Sequence, residues 1–414
     1  MAERRAVGGP VARSLLAAYF GVALLAWAAA AVVAIVAVPS LVAGDPLASS
    51  PVLAVHLVAL GALPFAVSGA SFHLLPVMLR NDLPSQRALW VALASLCGGF
   101  LVAAGLAPGD QALVWIGAVA VAFGLAIVLT EIFVLVVRAP RDRMLIASRI
   151  GVAIASAHVV AALAVGATVF SEDRPFGGLS YERWLLIHLH VALLGWVALL
   201  IVTVGRSLAP MLAQAPAVPA RRRPFNELAL VGSVWLLLAG IGLESRAVTL
   251  VGAVGVIAAL GRFAVLMALT FGARRAPLEA PLARLLVGAF FLLQAAGFGI
   301  AAAAGAGGTR LVCAYVILLL VGWAGGVVLG HVPKLLSLSL WVWWPPGPRP
   351  KQASLYSRKL GLAETAAFAL GVELLAVGVA AGSVDVARPG AVLFAVSTVL
   401  SLVTSVVTWS RRAR

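Results

Sequence analysis

The chain has six histidines, and they are its residues best suited to chemistry. Two of them head a repeated pattern. His56-Leu-Val-Ala-Leu-Gly61 is followed by fourteen residues and Pro76. His190-Val-Ala-Leu-Leu-Gly195 is followed by fourteen residues and Pro210. The pattern His-x3-Leu-Gly-x14-Pro thus occurs twice, 134 residues apart. A degraded third copy has Gly322-Trp323, echoing Gly195-Trp196, and His331-Val-Pro333 near its proline end. Ile317 stands there in place of the leading histidine. Twenty helical residues rise about 30 Å, the thickness of a bilayer's hydrocarbon core. His56 and His190 therefore lie at equal depth. A neutral imidazole is a good iron ligand, and two at one depth on facing helices could hold one iron from opposite sides of a haem. The alternative for the pair is hydrogen bonding between helices.

His188 and His190 are two residues apart, about 200° around a helix, so they serve different centres if they serve any. His188 could face a second haem or a metal, and His158 could join it as a metal ligand. His73 and His331 fall three and two residues before their prolines. With Lys334 they form a possible second site on the inner side; the alternative is helix-end imidazoles at the membrane surface. Glu131, Glu364 and Glu373 lie within apolar runs, where they could relay protons or pair with Arg262. Glu364 and Glu373 are nine apart, about 180° around a helix, and do not form one carboxylate pair.

The elements that must position these groups follow from composition. The 414 residues are 63% hydrophobic and 11% charged, with a mean hydropathy of +1.08. Soluble domains average about 45–50% apolar and roughly 25% charged. This composition excludes a soluble enzyme, a disordered chain and a fibre. It predicts an all-α integral membrane protein. Twelve apolar runs are long enough to span: 14–38, 52–79, 86–107, 111–137, 144–170, 183–212, 226–244, 247–272, 281–304, 311–343, 359–381 and 388–409. Related patterns four spans apart imply three pseudo-repeats of four helices within a single membrane domain, at about 14–137, 144–272 and 281–409. The basic start is followed by an apolar run too long for a signal peptide, and it reads as the first span.

With the N-terminus in the cytoplasm, the inner side, made of alternate loops and the span ends beside them, carries 24 of the 30 Lys and Arg residues, as the positive-inside rule requires. The outer side has Arg174, Arg183, Arg246, Arg310 and Arg388, and Arg262 falls inside a span. The expected location is a bacterial-type cytoplasmic (inner) membrane with both termini in the cytoplasm. The net charge of +15 marks inner loops able to touch anionic membrane lipid, not a nucleic-acid surface. Cys97 and Cys313 lie in apolar runs and suggest neither a disulfide framework nor a zinc site. No large soluble domain is expected. The longest connections are the Pro-rich 344–358 and an outer loop at 171–182 with Glu172, Asp173 and Glu182.

His188-Leu-His190-Val-Ala-Leu-Leu-Gly195-Trp196-Val197, ending at Pro210-Met211, resembles the His-x-His helix of the haem–copper oxidase catalytic subunit. The segment from His56 through Gly61 and Gly69 to Pro76 resembles that family's first haem-ligand helix. The resemblance implies that His56 and His190 hold a low-spin haem and that His188 faces a second haem or copper. It departs from the oxidases in three ways. The His-x-His run is the sixth span here and the tenth there; no His-His dipeptide occurs; and no histidine matches the one cross-linked to tyrosine. A complete oxygen-reducing haem–copper centre is therefore not expected. The chain looks like a divergent relative, comparable to the NnrS family of nitric-oxide-response proteins. The expected function is electron transfer or gas- or metal-linked redox work, as a membrane oxidoreductase if it is an enzyme, with an electron donor or partner subunit. The alternative is a proton-coupled transporter or a cofactor-free accessory subunit.

Overall fold

A computed structural model describes residues 12–79, 81, 85–138, 143–170, 178–216, 225–275, 277–344 and 347–411. Of the charges named above, Arg174, Glu172 and Asp173 lie outside the described residues. Among the described residues every regular element is a helix. In chain order these are α1 (Arg13–Ala43), α2 (Ser49–His56, Leu57–Ala62 and Leu63–Leu79), α3 (Gln86–Leu96 and Gly98–Leu106), α4 (Gln111–Arg138), α5 (Arg143–Phe170) and α6 (Tyr181–His190, Val191–Ala198 and Leu199–Ala213). They continue with α7 (Phe225–Gly242), α8 (Arg246–Gly272), α9 (Ala280–Ala303), α10 (Gly308–Val316, Ile317–Gly325, Gly326–Gly330 and Val332–Val342), α11 (Arg358–Ala381) and α12 (Val384–Ser410). A 3-10 turn, Gln352–Leu355, precedes α11.

Eleven of these helices are long and apolar enough to cross a bilayer. The protein is a multi-pass membrane protein. The sequence leads one to expect twelve spans; the remaining run is the shorter apolar helix Asn226–Gly242, and the eight residues before Phe225 lie outside the described part. An all-helical solution follows from the solvent. Hydrocarbon offers no hydrogen bonds, so each segment must satisfy its own backbone. The outward surface matches: Leu25, Val36, Phe123, Phe133 and Val399 are exposed, which is costly in water and neutral in lipid.

Helix ends are set by local chemistry. Ser85, Ser245 and Ser357 precede α3, α8 and α11, and each hydroxyl accepts from a backbone N–H three residues on. Such caps satisfy donors that the first helical turn leaves open. α1 stops at Gly44, whose φ of +82° suits glycine. α10 breaks at His331, two residues before Pro333, whose ring has no N–H to continue the ladder.

The chain divides into two compact units. One comprises residues 1–140, 279–288 and 309–414; the other comprises 141–278 and 289–308. In the first unit, α11 and α12 approach backbone to backbone. A Cβ added at Gly371 would sit 2.5 Å from Phe394 N, and one at Gly390 would sit 2.3 Å from Leu375 N. α3 and α4 meet the same way, with Gly117 against Gly98 O at 2.5 Å. Within the second unit, α7 and α8 touch at Gly240 and Gly252, whose added Cβ atoms would lie 2.3 Å from Thr249 N and 2.4 Å from Leu237 N. Helices in lipid gain no hydrophobic drive from association, so small residues that permit close packing replace it. The first unit's core is aromatic: Trp27 packs edge-on to Phe394 at 5.0 Å, and Phe368 lies 6.1 Å from Phe394.

Gly390→Val should overpack the α11–α12 contact and lower stability by about 1–3 kcal/mol. Val399→Leu, on an exposed face of the same helix, should leave it unchanged. Thermal unfolding of the detergent-solubilised variants reads both, and equal melting temperatures for the two would refute the packing.

Candidate functional site: histidine helices and buried charge pairs

The helices that carry the sequence pattern share an irregularity. α2, α6 and α10 each contain a π-helical stretch, at Leu57–Ala62, Val191–Ala198 and Ile317–Gly325. π turns are rare, insert an extra residue, and are frequent at functional sites. Gly61, Gly195 and Gly322 fall inside these stretches. In two of the three helices the histidine is the last residue before the π stretch: His56 in α2 and His190 in α6.

The two imidazoles are held alike. His56 Nδ1 lies 2.8 Å from Val52 O, and His190 Nδ1 lies 2.7 Å from Leu186 O, four residues back in each case. A carbonyl only accepts, so Nδ1 carries the proton and Nε2 keeps a lone pair. This is how ligating histidines are usually oriented. His190 is buried and His56 half-buried. They belong to different compact units, His56 to the first and His190 to the second. The anchorage alone is not distinctive, because His158 and His331 bond to Ile154 O and Val327 O in the same manner. The following π stretch sets His56 and His190 apart.

His188 points elsewhere. Its Nδ1 lies 3.0 Å from Ala162 O of α5, and its ring packs on Gly166, where a Cβ would come within 2.9 Å. His158, also on α5, packs on Gly195, where a Cβ would lie 2.3 Å from the ring. Its ring is 5.7 Å from that of Trp235, and its buried Nε2 has no hydrogen-bond partner. The α5 contacts of His188 lie four and eight residues beyond His158, or about 6 and 12 Å along the axis. Among the described residues no three His, Cys, Asp or Glu side chains gather as a metal site.

The residues expected on the inner side have separate partners within the first unit. His73 faces Ser339 Oγ at 3.5 Å and packs edge-on to Trp343. Lys334 Nζ pairs with Glu279 Oε2 at 2.6 Å. His331 occupies the break in α10. Glu131 accepts from Ser85 N at 3.0 Å. Glu364 is 2% exposed and pairs with Arg284 at 2.5 Å, so Arg284 takes the place expected for Arg262. Glu373 is half-buried, nine residues further along α11. In the second unit Arg206 pairs with Glu227 at 2.6 Å, both side chains being 6% exposed, and Arg262 also acts on Glu227. Outside the spans, burial and the Glu364 and Glu279 carboxylates push the Tyr356 phenol above its ordinary range.

Arg206, Glu227, Glu279, Arg284 and Tyr356 went unnoticed in the sequence. Arg206 and Arg284 counted there only as inner-side charges, but both are buried within helices and paired. The available signal was position: an arginine one turn inside an apolar run, with a glutamate in a nearby run, is a buried pair in waiting. No protein-family model and no curated protein sequence matches the chain.

Removing one partner of Arg284–Glu364 strands a buried charge. Arg284→Met or Glu364→Gln alone should cost about 3–5 kcal/mol, and Arg284→Met with Glu364→Met should recover most of it. A double variant no more stable than the single ones, by denaturant titration in detergent, would contradict the pairing.

Proposed function

We propose that this chain is a haem-binding membrane protein of the haem–copper oxidase type, with His56 and His190 as axial haem ligands. The carrying observation is the shared local design: an α segment ending in a histidine, Nδ1 tied to the carbonyl four residues back, and a π stretch bearing Gly61 or Gly195 immediately after. Both side chains fit the role, since each is oriented through Nδ1 by a backbone carbonyl and sits in an apolar helix. The haem supplies one-electron redox chemistry. The protein holds each imidazole in one tautomer and orientation, and the surrounding apolar side chains exclude water. Histidine ligation by His56 and His190 would suit electron transfer from a donor subunit better than oxygen reduction. His188, tied to α5, is the ligand proposed for a second haem or copper, with His158 of α5 as the second proposed metal ligand.

The same reading includes twelve spans in three four-helix repeats, with both termini on the cytoplasmic side of a bacterial-type inner membrane. The π stretches of α2, α6 and α10 and the glycine contacts of α3–α4, α7–α8 and α11–α12 support the repeat. The alternation of basic loops supports the orientation. One observation favours a second reading, a proton-coupled transporter or cofactor-free subunit: two ion pairs lie at the broken helix α10, Arg284–Glu364 buried and Lys334–Glu279 nearer the surface.

The reduced-minus-oxidised optical spectrum of the purified protein tests the proposal. A sharp low-spin haem band is expected, lost or strongly reduced in His56→Ala and in His190→Ala but retained in His331→Ala. A folded parent without haem would overturn the reading and leave the transporter.

A further inference from the structure

Among the described residues, Arg284 is a buried cation with incomplete hydrogen bonding. It lies near the start of α9 and is 2% exposed. Nη2 meets Glu364 Oε1, while Nε and Nη1 are buried without a partner. The guanidinium carbon lies 3.7 Å from the centre of the Phe368 ring, which covers a face of the group and leaves its N–H edges unsatisfied. The Tyr356 hydroxyl, 5% exposed, is likewise buried without a partner. Both groups adjoin the same stretch of α11: the guanidinium pairs with Glu364, and the phenol hydroxyl lies against Gly361, three residues earlier.

The space around them is built by small residues. A Cβ at Gly361 would lie 1.9 Å from the Tyr356 hydroxyl and 2.8 Å from Ala280 Cβ. A Cβ at Gly330 would lie 2.7 Å from Arg284 Cγ. The arginine stem therefore crosses the α10 backbone just before the break at His331, and the tyrosine hydroxyl enters against α11 one turn before Glu364. Lys334 and Glu279, with side chains 11% and 17% exposed, stand nearer the surface.

The unmet groups are nitrogen donors and a hydroxyl, so the missing partner is an acceptor. Leaving such donors dry in an apolar interior costs free energy. The charge of the segments that build the space decides the acceptor's sign. Residues 279–284 and 331–364 carry Arg284, Lys334, Arg349, Lys351, Arg358 and Lys359 against Glu279 and Glu364, six positive and two negative.

We propose that Arg284, Tyr356 and Lys334 form a binding site for a phosphate-type oxyanion, entering from the end of the bundle that bears the 344–358 loop. The source is either free phosphate or the headgroup of an anionic lipid, which share this chemistry. The site does not depend on the haem reading.

Purified protein is titrated with inorganic phosphate against matched sodium chloride, following thermal stability. In parallel, lipid retained after extraction is measured by native mass spectrometry, with phosphatidylglycerol and phosphatidylcholine added back. Saturable stabilisation by phosphate identifies free anion as the source; selective retention of phosphatidylglycerol identifies lipid. Tyr356→Phe removes one donor without changing size and should weaken the effective ligand about fivefold. Arg284→Lys keeps the charge but loses the fork and should weaken it further. Absence of both effects in the parent, or parent-like binding in a folded Tyr356→Phe protein, would overturn the proposal.

Discussion

The structure depends on one constraint: a polar group inside a membrane helix must find its partner within the protein. Lipid offers none, and each group left unsatisfied costs several kcal/mol. The helices first solve this for their own backbones. Their side chains then follow suit. His56, His158, His190 and His331 each turn Nδ1 back to the carbonyl four residues earlier, and Ser and Thr hydroxyls along the helices do the same. The device satisfies one ring nitrogen at no tertiary cost. It also leaves Nε2 as the chemically active atom of each imidazole. What a histidine does next is therefore decided by what meets Nε2.

Charges obey the same constraint by pairing. Arg284–Glu364 in the first unit and Arg206–Glu227 in the second join residues from different helices, and Lys334–Glu279 joins α10 to the residue just before α9. Such pairs seldom add stability over apolar packing, but they fix which helices can lie together. Close glycine contacts do the complementary work at α3–α4, α7–α8 and α11–α12, where backbones approach too closely for any side chain. Where satisfaction is incomplete, at Arg284 and Tyr356, chemistry has room.

The all-helical membrane architecture was legible because span length and composition are physical requirements rather than tendencies. Apolar runs such as 14–38 and 359–381 map onto α1 and α11 within a few residues. The Gly61 and Gly195 motifs were legible as a repeated spacing, but not as π turns, since no residue type announces an i→i+5 bond. The ion pairs were hidden for a different reason. A charge near the end of an apolar run reads as a loop residue in one dimension, and only packing reveals that Arg284 and Arg206 face inward. Tyr356 lay in a Pro-rich connection that gives no periodicity to read, so its burial beside Glu364 could not be anticipated.

The central claim is that His56 and His190 act through Nε2 as haem ligands. Low-temperature electron paramagnetic resonance of the oxidised, detergent-purified protein tests it most directly, because the ferric signal reports the axial ligands themselves. The expected result is a low-spin ferric signal typical of two neutral imidazoles, converted to a high-spin signal or lost when either histidine is replaced by alanine. A folded protein with no ferric haem signal, or a low-spin signal that survives both replacements, would contradict it.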